Sequence, residues 1–389
     1  MQFQDVIGQD AVIRQLRDMV DQNRLSHALL FVGKEGSGAL PLALAFSTYI
    51  IEQNEAAPAA APSLFGEAPA PPAEKHGVAL AQQYIHPDIH YSYPVIARKP
   101  GDKPKATDFI AEWREFIKLY PYGNVYDWLQ FIGAENKQGN ITAEECNDII
   151  RKLNLKSFES PYKILILWMA EYLGKEGNKL LKLIEEPPAN TLFILICERE
   201  ELVLPTIVSR CQTIRIPPLT LNAVALALQQ RCKLPEEQAR QIAGVCEGNY
   251  REALQLIQHA EEDWQRLLRD WLNAIYRNAG IEQVQWVEGI SGMGREKQKQ
   301  FLQYFLHLIE QSIRLRTMGN GPLPLTATEA DFASRLNNMC DVDQLEAITT
   351  ELEKATYYVE RNCNPKMLFM ALTIKLFHII RLHTTIGVQ

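Results

Sequence analysis

Short runs of consecutive apolar residues punctuate the first half of this chain. Three are continuous and a fourth is weaker, and they lie at 29–32, 164–167, 192–196 and 213–216. Between them apolar residues recur every three or four positions, as in 9–24 and 142–153, which predicts amphipathic helices. Residues 107–130 also have a helical pattern and are rich in aromatic side chains. Buried strands alternating with helices predict an α/β fold with a parallel sheet covered on both faces.

The pattern changes after Pro217 and Pro218, where helical spacing replaces the apolar runs. Helices are predicted at 220–232, 235–246, 250–260, 262–278 and 296–318, with several more up to residue 383. We predict no strand beyond about residue 217. The expected organisation is an α/β core at 1–216, a small helical lid at 217–262 and a larger helical bundle at 263–389.

One segment of the predicted core has neither a continuous apolar run nor helical spacing. Half of the residues in 52–77 are Ala or Pro, and they show no periodicity. Such a composition cannot bury a core, so we expect a flexible, solvated insertion at 52–77.

Composition and charge narrow the class of protein. The chain has 389 residues, enough for about two or three domains, and 47% of them are hydrophobic. A net charge of −7 gives no support for a broad nucleic-acid-binding surface. The seven cysteines are scattered without a C-x-x-C pair, which is typical of a reducing cytosol. No secretory signal or membrane-spanning run is visible, so we expect a cytoplasmic protein with no membrane partner.

A glycine-rich stretch after the first strand has the frame of a phosphate-binding loop. Gly33 and Gly38 occupy the two glycine positions of G-x-x-x-x-G-K-[ST], and Gly36 lies between them. Ala39 stands at the lysine position and Leu40 at the Ser/Thr position. The loop therefore lacks the ammonium for the phosphates and the hydroxyl for Mg²⁺.

The second half of such a site is also missing. In a phosphate-loop ATPase a later strand ends in an acidic pair that positions Mg²⁺ and the attacking water. Here the run 164–167 leads into Trp168 and Met169, which can neither hold a metal nor take a proton. Glu171 follows, and we interpret it as a solvated surface acid. We expect no nucleotide cofactor, no metal and no ATPase activity in the isolated chain.

Three blocks of sequence resemble a known family. They are 3–9 with 24–33, the string Asn-Lys-Leu-Leu-Lys-Leu-Ile-Glu-Glu-Pro-Pro at 178–188, and Ser209-Arg210-Cys211. Together they resemble the delta-prime family of bacterial DNA polymerase III clamp-loader subunits, within the AAA+ superfamily. The resemblance is close over about 1–55 and 140–260.

The resemblance implies a fold, an assembly and a role. The fold would be an AAA+ core with a lid, and 263–389 would join a helical collar that holds five related subunits together. The partners would be the motor (tau/gamma) and delta subunits of this heteropentamer, which loads the sliding clamp onto primed DNA during DNA replication. The chain would belong to the DNA-directed DNA polymerase holoenzyme without being catalytic itself.

The family pattern also assigns individual residues. Arg210 would be presented to the nucleotide of a neighbouring motor subunit, where a guanidinium stabilises transition-state charge. From residue type alone, Arg210 could instead cap a helix or pair with Glu185 or Glu186. Arg251 stands at the position of the second-sensor arginine, and we expect it to hold the lid against the core. Cys197 stands at the first-sensor position.

The sequence departs from the family at one further point. Many members carry a four-cysteine zinc module before a His-Pro-Asp segment, but no cysteine precedes Cys146 here. His76, His86, His90 and Asp88 alone do not predict a structural zinc site.

Two alternative functions remain open at this stage. The chain could be an active clamp-loader ATPase with an atypical site. It could also be an AAA+-fold adaptor unrelated to replication.

Overall fold

The computed structural model describes residues 1–55, 76–99, 101–134, 137–258, 264–318, 327–361 and 363–382. The chain forms two compact units, Met1–Gln255 and Leu256–Gln389.

A five-stranded parallel sheet forms the centre of the first unit. Its strands are β1 (Ala28–Gly33), β2 (Ile89–Ser92), β3 (Lys163–Trp168), β4 (Thr191–Cys197) and β5 (Gln212–Ile216). They lie in the order β2-β3-β4-β1-β5, and every pairing is parallel. The four strands predicted from apolar runs are confirmed, each one or two residues longer than its run.

Strand β2 was not predicted. Its sequence is Ile-His-Tyr-Ser, so it is short and alternates apolar with polar residues rather than forming an apolar run. It lies at the edge of the sheet and pairs only with β3. An edge strand of this kind gives a weak sequence signal because only part of it needs to be apolar.

Helices cover both faces of the sheet. Those that begin in the first unit are α1 (Asp10–Asp21), α2 (Ala39–Glu55), α3 (His76–Gln82), α4 (Ile110–Leu119), α5 (Val125–Phe131), α6 (Ala143–Asn154), α7 (Leu181–Glu185), α8 (Pro205–Val208), α9 (Leu221–Cys232), α10 (Glu236–Val245) and α11 (Tyr250–Gln258). Four 3₁₀ helices add Phe3–Asp5, Ala106–Phe109, Ala170–Leu180 and Glu200–Leu202.

Alternate side chains of the three central strands, β1, β3 and β4, enter different cores. On β4, for example, Ile194 and Ile196 belong to the same cluster as Phe46 of α2, whereas Phe193 and Leu195 pack with the cluster that includes α6. Two-sided burial explains the continuous apolar runs of the central strands and confirms the predicted α/β class.

The aromatic segment at 107–130, predicted to be helical, contains more than one helix. It is divided into α4 and α5 by a turn that contains Pro121 and Gly123, two residues that favour turns. Asn124 then caps α5, its side chain accepting a hydrogen bond from the Asp127 amide.

Of the predicted insertion at 52–77, residues 56–75 lie outside the described part. The two ends of the predicted segment belong to helices, since α2 continues to Glu55 and α3 begins at His76.

The second unit is helical throughout its described part. Its helices are α12 (Trp264–Tyr276), α13 (Gly280–Gly292), α14 (Arg295–Met318), α15 (Ala327–Met339), α16 (Val342–Glu360) and α17 (Pro365–Leu382). Trp271 and Trp286 stack at 4.3 Å in its core. Among the described helices of the whole chain, none is long and apolar enough to cross a membrane. The division of the helical region near residue 262 stays a prediction.

Candidate functional site

The glycine-rich loop joins β1 to α2, as the sequence predicts. Gly36 and Gly38 have left-handed φ angles of +70° and +93°, which favour glycine. A methyl group added at Gly36 would lie 1.9 Å from Oδ1 of Asn249, and one added at Gly38 would lie 3.0 Å from the ring of Tyr122. The loop glycines are therefore required by close packing against other parts of the same chain.

Little space remains where the phosphates of a nucleotide would bind. The cavity at the loop has a volume of about 30 Å³, enough for no more than a few water molecules. Ligand sites in proteins usually measure about 300–1,000 Å³. Its lining includes Ala39, Leu40, Tyr122, Trp168 and Met169.

Trp168 and Met169 belong to the aromatic and apolar packing beside this cavity. Trp168 is the last residue of β3, and its ring lies 5.1 Å from that of Trp113. Met169 follows with a left-handed φ of +61°. At the end of the neighbouring strand, burial raises the pKa of the Cys197 thiol to about 12, so the thiol stays neutral at physiological pH. These side chains offer apolar surface at the positions where an ATPase has polar groups.

Tyr122 fills the space above Gly38. Its hydroxyl accepts a hydrogen bond from the amide of Ile7 at 2.8 Å. Its ring meets that of Tyr250, in α11, edge to face with centroids 5.0 Å apart. Burial raises the pKa of Tyr122, so the phenol is neutral.

Arg251 binds two carboxylates from separate elements of the first unit. Its guanidinium donates to both oxygens of Asp127, from Nε at 2.5 Å and from Nη2 at 2.7 Å. Nη1 also donates to Oε1 of Glu35, in the loop, at 3.1 Å. The Arg251 side chain is only 5% exposed. This residue therefore links α11 to α5 and to the glycine-rich loop.

Glu35 has further partners that fix the loop. Its Oε2 accepts from Nδ2 of Asn124 at 2.7 Å, and its Oε1 accepts from Nδ2 of Asn249 at 3.1 Å. Sequence reasoning missed both Glu35 and Asp127. A carboxylate inside a phosphate loop would repel phosphate, and this conflict was the available signal for Glu35.

The interpretation of Glu171 as a solvated surface acid is wrong. Its Oε1 accepts from the amides of Glu198 at 3.0 Å and Arg199 at 3.4 Å. Its Oε2 is buried without a hydrogen-bond partner among the described residues. Burial raises the pKa of this carboxyl above its ordinary value. Glu171 therefore anchors the segment after β4.

Arg210 lies in the turn between α8 and β5 and interacts within its own chain. Its Nε donates to Oε1 of Glu185 at 2.5 Å, and its Nη2 is paired with the same oxygen. Its Nη1 donates to the carbonyl of Thr206 at 2.7 Å. The side chains of Arg210 and Glu185 remain 33% and 45% exposed.

Arg210 and the glycine-rich loop lie at opposite ends of the parallel strands. Gly33, where the loop begins, pairs with Ile216 at the carboxyl end of β5, whereas Arg210 precedes Gln212 at the opposite end. At about 3.3 Å per residue, the four steps along β5 alone span roughly 13 Å. Arg210 therefore lies at the amino end of β5, whereas Arg251 binds Glu35 in the loop at the carboxyl ends of the strands.

The segment with the histidines holds no metal-ligand cluster. In the described part of the chain, no group of three or more His, Cys, Asp or Glu side chains could bind a metal ion. The carboxylate of Asp88 instead accepts from the amides of Phe158, Glu159 and Ser160 at 2.6–2.8 Å. Nδ1 of His86 accepts from the Asp88 amide.

Comparison with known proteins gives a consistent set of relatives. A family model described as DNA polymerase III, delta subunit, matches residues 8–220. DNA polymerase III subunit delta' of Bacillus subtilis is 28% identical over 257 residues, which are 65% of this chain and 60% of that protein. Subunit tau of B. subtilis is 24% identical over 264 residues, 66% of this chain and 37% of tau.

A replication factor C subunit is also similar. The replication factor C small subunit of Staphylothermus marinus is 30% identical over 155 residues, 36% of this chain and 46% of that protein. The chain therefore spans less than two thirds of the length of each of these relatives.

Proposed function

Since this chain belongs to the DNA polymerase III delta subunit family, we propose that it is a non-catalytic clamp-loader subunit, one that helps to place the sliding clamp on primed DNA. It binds no nucleotide productively. It contributes Arg210 to the nucleotide site of a neighbouring motor subunit.

The observation that carries this proposal is the cavity of about 30 Å³ at the glycine-rich loop. That volume is about a tenth of the lower bound for a usual ligand site, and Tyr122 is among the side chains that line it. The lining also lacks the cation, the hydroxyl and the acidic pair that hold phosphate and Mg²⁺. Charge-assisted hydrogen bonds are among the strongest contacts that a protein makes to phosphate, so their loss removes most of the affinity.

The surroundings of Arg210 support its role toward a second chain. It lies at the opposite end of the strands from the glycine-rich loop of its own chain, so it cannot contact a phosphate bound at that loop. Its pairing with Glu185 is an exposed one, and exposed ion pairs contribute only about 0–1 kcal/mol. A neighbouring phosphate could therefore engage the guanidinium at little energetic cost.

The proposed partners follow from the family. They are the motor (tau/gamma) and delta subunits of a heteropentamer, joined through a collar formed by 263–389. The similarity to tau and delta' of B. subtilis supports such partners. The helical second unit supplies the kind of element from which bundles of subunits are built.

The test is Arg210→Ala in the reconstituted complex. Arginine fingers contribute about 10³–10⁵ to the rate of hydrolysis, so the site beside this chain should stop contributing to DNA-stimulated ATP hydrolysis. Assembly, followed by gel filtration, should be unchanged. Arg240→Ala is the matched control, because Arg240 is also exposed and paired, with Glu236 on its own helix. Wild-type hydrolysis by the Arg210→Ala complex would contradict the proposed role.

A further inference from the structure

Arg210 is held on its own chain by contacts from two directions. The Glu185 carboxylate binds the Nε–Nη2 edge of the guanidinium, and the Thr206 carbonyl binds Nη1. Oγ of Ser209 lies 3.3 Å from Nη1 and adds a longer contact. These contacts favour one orientation of a flexible side chain before any partner is present.

The elements that provide these contacts lie close together. Glu185 is the last residue of α7, and Thr206 belongs to α8, immediately before the turn that carries Arg210. The neighbouring acid, Glu186, has a side chain with no ion pair or hydrogen bond within the described residues, although its backbone amide donates to the Lys182 carbonyl. Of these two adjacent carboxylates, only that of Glu185 contacts Arg210.

We propose that Glu185 is the positioning residue for Arg210 and holds its guanidinium ready for the nucleotide of the neighbouring subunit. This inference rests on the proposed function of Arg210. It adds a residue whose contribution acts only through that arginine.

The Glu185 contact limits the conformational freedom of Arg210 and leaves part of its guanidinium available. A free arginine side chain samples many rotamers, and ordering it at the moment of binding lowers the affinity for a partner. A contact that orders the side chain in advance removes much of this loss. Arginine carries five N–H donors, so a guanidinium bound along its Nε–Nη2 edge and at one Nη1 donor still has donors for a phosphate oxygen.

The experiment is a double-mutant cycle in the reconstituted complex. Glu185→Gln, Arg210→Ala, the double variant and Glu186→Gln are compared by kcat and KM for DNA-stimulated ATP hydrolysis. Glu185→Gln should lower the Arg210-dependent share of kcat by about five-fold, as for the loss of one exposed ion pair. KM should not change, and Glu186→Gln should behave as the wild type.

The double variant separates positioning from a general structural role. If Glu185 acts only through Arg210, Glu185→Gln should have no further effect once Arg210 is alanine. Additive effects, or normal kcat in Glu185→Gln, would overturn the inference while leaving the role of Arg210 intact. Unchanged hydrolysis in Arg210→Ala would instead refute the proposed function itself.

Discussion

Replacing Arg251 with alanine should destabilise the first unit of this protein. The guanidinium is 5% exposed, and the carboxylates of Asp127 and Glu35 that it binds are 18% and 23% exposed. The substitution would remove three charge-assisted hydrogen bonds and leave two partly buried carboxylates without this cation. It would also disconnect α11 from the glycine-rich loop at this point.

The magnitude follows from the burial of the three groups. Breaking a fully buried ion pair costs about 3–5 kcal/mol, whereas an exposed pair is worth about 0–1 kcal/mol. Because both carboxylates keep some access to water, we expect an intermediate loss of about 2–3 kcal/mol. For a unit of this size, that loss lowers the melting temperature by roughly 5–10 °C.

Urea unfolding and calorimetry would measure the effect directly. Arg240→Ala is again the control, since the Arg240–Glu236 pair is 66% and 65% exposed and should contribute less than about 0.5 kcal/mol. If Arg251→Ala proved as stable as Arg240→Ala, the assignment of Arg251 as the link between α11, α5 and the loop would be refuted.

Three other changes test separate parts of the structure. The double substitution Ala39→Lys and Leu40→Thr should not restore micromolar, Mg²⁺-dependent ATP binding by calorimetry, because Tyr122 still lines the cavity; such binding would show that Tyr122 does not block the site. Asp88→Asn should cost about 2–3 kcal/mol in urea unfolding, since an amide NH₂ would face backbone donors; unchanged stability would contradict this. Burial lowers the pKa of His90 from 6.5 to about 4, so the unfolded state binds its proton more readily and stability falls as the pH drops from about 6.5 toward 4. The free energy of unfolding should fall less steeply with pH in His90→Gln than in the wild type, by up to about 1.4 kcal/mol per pH unit. Identical slopes in the two proteins would show that His90 is not responsible.

The central strands could be predicted from the sequence because burial on both faces requires continuous apolar residues. Strands β3 and β4 illustrate this, as all of their residues are buried. Strand β2 could not be predicted in the same way, because an edge position tolerates His90 within it. The resemblance to clamp-loader subunits, predicted from three short blocks, is confirmed by the family match over 8–220.

Only part of the candidate site could be predicted from the sequence. The missing chemistry at Ala39 and Leu40 could be recognised because a phosphate loop fixes the spacing of those positions. The partners of Arg251 could not, since Asp127 and Glu35 lie 124 and 216 residues away along the chain. Only the folded chain brings such distant carboxylates to one guanidinium.

Because β1 and β5 are parallel, the glycine-rich loop lies at their carboxyl ends and Arg210 lies at the opposite, amino end of β5. Substitutions roughly 13 Å apart with no shared partner usually have additive effects. Loss of chemistry at Ala39 and Leu40 would therefore leave Arg210 undisturbed, and changes around Arg210 would leave the filled loop as it is. A substitution in the glycine-rich loop and a substitution at Arg210 can therefore be studied independently of each other.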